Sequence, residues 1–97
     1  MLWHCKYTWF PGTTQEKVRE RLLEVDAAHG ERLRKILKGW YSLVGGGAGY
    51  LLIDTDDALE VGTVILPYMD LMSFDVHAIF ERPYDQLIAA AQKARGG

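Results

Sequence analysis

Two segments of this 97-residue chain alternate between polar and apolar residues with the two-residue period of a β-strand, and together they restrict how the chain can pair. In Leu2–Phe10, Trp3, Cys5, Tyr7 and Trp9 point one way, and His4, Lys6 and Thr8 point the other. In Leu71–Glu81, Met72, Phe74, Val76, Ala78 and Phe80 form one apolar face, with Ser73, Asp75 and His77 opposite. If the two segments pair antiparallel, one register sets His4 beside His77, Lys6 beside Asp75 and Thr8 beside Ser73, since the residue numbers of each pair sum to 81. A slip of one residue would put the two polar sets on opposite faces of the sheet. The register therefore predicts a polar patch on the sheet face turned away from the helices.

The rest of the chain supplies the layers around these strands. Pro11-Gly12 marks a turn, and Thr13 with Glu16 reads as a capping box opening a helix. Val18, Leu22, Leu23 and Val25 form its apolar stripe, and Gly30 is a suitable C′ residue to end it. Glu31–Lys35 fits either a further helical turn or the approach to a second strand. Ile36–Val44 reads as that strand, the glycine run 45–49 as a hairpin loop, and Tyr50–Asp54 as a third strand. Asp57 with Glu60 is a second capping box, followed by a stripe of Val61, Val64, Ile65 and Tyr68 that should bend or stop near Pro67. Pro83 suits the first turn of a third helix, with Tyr84, Leu87, Ile88 and Ala91 facing inward. The order β-α-β-β-α-β-α makes an α+β protein. Its first six elements are the ferredoxin-like βαββαβ arrangement, an antiparallel four-stranded sheet with an extra C-terminal helix, as one domain over residues 1–97.

Composition excludes several functions. A net charge of −2 argues against a dedicated nucleic-acid binder, and Tyr50 is the one aromatic of a third strand with no basic start, unlike an RNA-recognition sheet. No apolar run reaches the ~18 residues of a membrane span, and the start lacks the regions of a signal peptide. Cys5 is the only cysteine, which rules out an intrachain disulfide and fits a cytoplasmic location.

Several stretches resemble a known family. Tyr7-Thr8-Trp9-Phe10-Pro11-Gly12-Thr13, Gly39-Trp40-Tyr41, Leu51-Leu52-Ile53-Asp54-Thr55-Asp56-Asp57, and Asp70-Leu71 with Phe74-Asp75-Val76 are similar to a family of short bacterial and archaeal proteins of unknown function. That family belongs with the dimeric α/β barrels. The resemblance implies a ferredoxin-like fold whose open sheet faces a partner copy in a homodimer, and it brings no catalytic residues with it.

The candidate site follows from the polar patch. With Tyr41 and Leu43 turned inside, Trp40, Ser42, Tyr50 and Leu52 would join His4 and His77 outside, giving a face both aromatic and polar. A small, partly apolar ligand bound by His4, Lys6, Trp40, Tyr50, Asp75 and His77 is the leading reading. The rival is a cofactor-independent oxygenase or isomerase, with His77 as general base and Lys6 or Trp40 stabilising negative charge. A structural or regulatory dimerisation module is the third. Cross-strand pairing alone also accounts for Lys6 and Asp75. A histidine flanked by Trp40 and Tyr50 has the makings of a haem ligand, as does His29 separately. Without a Cys-x-x-Cys-His motif haem is not favoured, and with Cys5 on the face opposite His4 no metal site is expected. The glycine run has no phosphate-binding pattern, and Asp54, Asp56 and Asp57 are explained by helix capping.

Overall fold

The structure, a computed structural model, describes residues 1–96. Four strands and three α-helices follow the expected order: β1 (Leu2–Trp9), α1 (Gln15–Ile36), β2 (Leu37–Ser42), β3 (Ala48–Asp54), α2 (Ala58–Ile65), β4 (Met72–Ile79) and α3 (Tyr84–Gly96). The strands form one antiparallel sheet in the order β2-β3-β1-β4, which is the ferredoxin-like order. β1 pairs with β4 in the register read from the alternation, with His4 opposite His77, Lys6 opposite Asp75 and Thr8 opposite Ser73.

The core lies between the sheet and the two central helices. Cys5, Tyr7, Leu51, Ile53 and Met72 rise from the strands to meet Val18, Val25 and Ile36 of α1, Val61 and Val64 of α2, and Tyr68. Two arginines of α1 tie it to α2 and to the segment that follows α2. Arg21 donates to both carboxylate oxygens of Asp70, at 2.6 and 3.0 Å, and to the Pro67 carbonyl. Arg32 donates twice to Glu60, at 2.5 and 2.6 Å, and joins α1 to α2. α2 stops at Ile65 and passes through a 3₁₀ turn at Leu66–Tyr68, as Pro67 requires.

Several local expectations change, the strand bounds among them: Ile36 closes α1 instead of opening β2, β2 ends at Ser42 and not Val44, and β3 begins at Ala48 inside the expected loop. The N-cap of α1 is Thr14, which accepts from Lys17 N, whereas Thr13 donates its hydroxyl to the Leu71 carbonyl at 2.7 Å and pins the turn to the start of β4. Asp57 caps α2, but Glu60 does not return the bond. It accepts from the Thr55 hydroxyl and pairs with Arg32, and Thr55 in turn accepts from Asp57 N. Gly30 does not end α1, which continues for six more residues, so Glu31–Lys35 is helical. The Asp26–Arg34 ion pair closes over Gly30 at 2.8 Å, occupying the space a side chain would need. Finally, α3 has no buried residue. Tyr84 and Ile88 are exposed rather than turned inward.

Candidate functional site

The two faces of the sheet carry different chemistry, and β2 decides which residues lie on which. Leu37 pairs with Ile53, but Gly39 pairs with Leu52 and Trp40 with Leu51, so a bulge interrupts the alternation between Leu37 and Gly39. Past the bulge, Trp40 and Ser42 share the helix-side face with Leu51, and Tyr41 shares the open face with Tyr50. The expected placement of Trp40 on the open face is therefore reversed, as is that of Tyr41. Gly39 is the sequence signal for this inversion, because an isolated glycine inside a strand marks a bulge. A side chain there would strike the Tyr41 ring.

On the open face, the rings of His4, Tyr50 and Tyr41 stack in a row across β1, β3 and β2. Both centroid separations are 4.8 Å and both interplanar angles 23°. Beyond His4 lies His77, whose Nε2 meets Asp75 Oδ1 at 2.8 Å along the same strand. Asp75 thus turns to His77 instead of Lys6, which has no ion-pair partner among the described residues. The structure brings His4, Tyr50, Lys6, Asp75 and His77 onto one surface, most of it exposed in the single chain.

On the helix side, Trp40 takes part in a different cluster. Tyr7 crosses β3 over Gly49, its partner in the β1–β3 ladder, where a side chain would collide with the Tyr7 ring and hydroxyl. The absence of a side chain at Gly49 lets the Tyr7 hydroxyl reach β2. There it lies 2.9 Å from Ser42 Oγ and accepts from Trp40 Nε1 at 3.2 Å. Trp40 also packs edge-on to Tyr7 and to Tyr68, with centroids 6.0 and 5.9 Å apart. Burial pushes the Tyr68 hydroxyl above the ordinary tyrosine range, so it stays protonated near neutral pH.

Two adjoining cavities open beside this cluster, between α1 and β2. One, of about 370 Å³, is lined by Leu22, Val25, Leu33, Leu37, Trp40 and Tyr68, with Asp26 and Arg34 at its edge. The other, of about 260 Å³, meets the first at Leu22 and Trp40 and carries Tyr7, Ser42, Gln15 and Arg19. Together they make a groove that is apolar along its middle and carries polar groups at both ends, the usual build of a small-molecule site. Sequence reading missed this groove because its floor depends on the bulge. Cys5 is fully buried, and burial pushes its thiol up to about 11, so it is unreactive at neutral pH.

The model of a domain of unknown function, DUF3303, matches residues 1–94. The chain belongs to that family. Among solved structures, the DUF3303 chain is similar to 5-chloro-2-hydroxyhydroquinone dehydrochlorinase from Burkholderia phenoliruptrix AC1100, in complex with 2,5-dihydroxybenzoquinone. The identity is 17%, with 84% of this chain and 96% of that chain covered and a TM-score of 0.62. It is also similar to muconolactone isomerase, at 20% identity, with 87% of this chain and 93% of that chain covered and a TM-score of 0.62. At these identities the likeness establishes the fold, the ferredoxin-like βαββαβ arrangement followed by a C-terminal helix. No curated protein gives a significant match. Among the described residues, no helix is long and apolar enough to cross a membrane.

Proposed function

We propose that this protein is a homodimer that binds a small, partly apolar molecule in the groove between α1 and β2. One observation carries the reading: the joined cavities of about 370 and 260 Å³, walled by Leu22, Leu33, Leu37 and Trp40, leave room beside the core that no side chain of this chain fills. The two similar structures support it, since one is in complex with 2,5-dihydroxybenzoquinone and the other is an isomerase of muconolactone, each a small oxygenated ring compound. The open sheet face, with its stacked His4, Tyr50 and Tyr41, is then the surface the second copy covers. A neutral bicyclic probe, 2-naphthamide, should bind once per chain at submillimolar concentration and perturb Trp40 fluorescence. Leu22→Trp should fill the groove and weaken binding at least tenfold with the circular dichroism spectrum unchanged. Failure of both 2-naphthamide and its acid, 2-naphthoate, to bind the wild-type protein would sink this reading.

A second reading keeps the chemistry on the open face. The His77–Asp75 contact at 2.8 Å favours it, because a carboxylate beside an imidazole stabilises the imidazolium that a general base becomes, the more so once a partner copy excludes water. In that case the protein is a cofactor-independent isomerase or oxygenase. His77→Ala would then abolish turnover of an identified substrate while the dimer persists, and full activity in that variant would exclude it.

A further inference from the structure

The groove is not uniform along its length, and one of its polar ends has a definite sign. The cavity lined by Tyr7, Ser42, Gln15 and Arg19 has no acidic side chain in its wall. Arg19 forms no ion pair among the described residues, in contrast to Arg21, Arg32 and Arg34, each of which is held by a carboxylate. The hydroxyl pair adds a donor. Trp40 Nε1–H can only donate, so the Tyr7 oxygen accepts from it. Of the two hydroxyl hydrogens on Tyr7 and Ser42, one closes the 2.9 Å bond between them. The other is left over whichever residue donates, because neither oxygen has a further protein partner among the described residues. A guanidinium without a counterion and a spare hydroxyl hydrogen thus face the same small space. The opposite end of the groove has its charges already cancelled, in the Asp26–Arg34 pair.

We infer that the ligand of this groove is a small organic anion, a carboxylate or an acidic enol or phenol. Its oxygens lie at the Arg19, Tyr7 and Ser42 end, and its apolar body lies against Trp40, Leu22 and Leu37. This rests on the groove being a ligand site, and adds the charge and direction of the ligand. A planar anion suits the guanidinium fork, and the hydroxyl pair satisfies a second lone pair of the same oxygen group. The cavity wall gives no acceptor-rich surface for a cationic ligand at that end.

The test compares 2-naphthoate with 2-naphthamide, which share their ring system and differ in charge, by titration calorimetry at low ionic strength. The acid anion should bind at least tenfold more tightly than the amide. In Arg19→Gln that margin should collapse to threefold or less, because the affinity for 2-naphthoate falls much further than that for 2-naphthamide. In Ser42→Ala the Tyr7 hydroxyl keeps a hydrogen for the ligand, so the margin between the two probes should persist. Equal affinity of the two probes for the wild-type protein, or a margin that survives in Arg19→Gln, would overturn the inference while leaving the groove a ligand site. Binding of neither probe would instead remove the groove reading itself.

Discussion

At the scale of single residues, Gly49 determines what the helix-side face can hold. Tyr7 lies flat across β3 only because position 49 has no side chain, and that places its hydroxyl between Ser42 and Trp40. An added methyl at Gly49 would meet the Tyr7 ring and hydroxyl within 3 Å and the Tyr41 carbonyl closer still, and the backbone carbonyl cannot swing aside. Gly49→Ala should therefore destabilise the protein by about 1–3 kcal/mol, the usual cost of overpacking a filled site. Urea unfolding checks this, and a variant as stable as wild type would show that Tyr7 has another route to β2. The polar register of β1 against β4 could be read from the sequence because nothing interrupts the alternation of either strand. The Tyr7–Ser42–Trp40 cluster could not, since it joins residues 33 and 35 positions apart through a strand whose facing is set by a bulge.

At the scale of elements, side-chain ties override local punctuation. A glycine inside a helix costs roughly 1 kcal/mol, and Gly30 was a reasonable place for α1 to stop. Helix α1 continues because Ile36 has a place in the core and Arg32 is held by Glu60 on α2. These contacts come from elements distant in sequence, so the helix boundary was not legible from Gly30 itself. The stop of α2 at Pro67 was legible, because proline acts on its own turn. The same Arg32–Glu60 tie makes stability depend on acid. Hydrogen bonds from Arg32 and then Thr55 hold the Glu60 carboxyl down to about 2, below its ordinary value of 4.5. A carboxyl lowered in the folded state stabilises fully above its unfolded value, and that contribution is lost as pH falls toward the folded one. The window is thus from about 4.5 down to about 2. Asp70, lowered by Arg21, acts in the same direction. Glu60→Gln should be less stable than wild type at pH 7, and the gap should close as pH is lowered through that window. Thermal melts across pH 2–7 measure it, and a gap that stays constant would show that the carboxylate charge is not what Arg32 holds.

At the scale of the whole molecule, the single chain leaves apolar surfaces uncovered. Its radius of gyration is 17.1 Å and its longest extent 57 Å, whereas a packed domain of this length has a radius of about 12.5 Å. The difference lies with α3, which has no fully buried residue on its own chain, Leu87 being half-buried. Along β4, an edge strand, the helix-side face opens progressively. Met72 is buried, Phe74 and Val76 are half-buried, and Phe80 is exposed just before α3 begins. The apolar stripe of Tyr84, Leu87, Ile88 and Ala91 was legible as a helix face that needs covering, but amphipathicity does not say which chain supplies the cover. The homodimer proposed above would account for both surfaces if each copy's α3 covered the β4 end of the other. The contact is self-complementary, as an isologous interface must be. The double variant Leu87→Glu with Ile88→Glu should then sediment as a monomer at concentrations where the wild type is a dimer. Because α3 adds no buried side chain to its own chain, the far-ultraviolet spectrum of the variant should remain that of a folded protein. A wild-type chain that sediments as a monomer at high micromolar concentration would remove the dimer, and a variant that still dimerises would confine the interface to the open sheet face of His4, Tyr50 and His77.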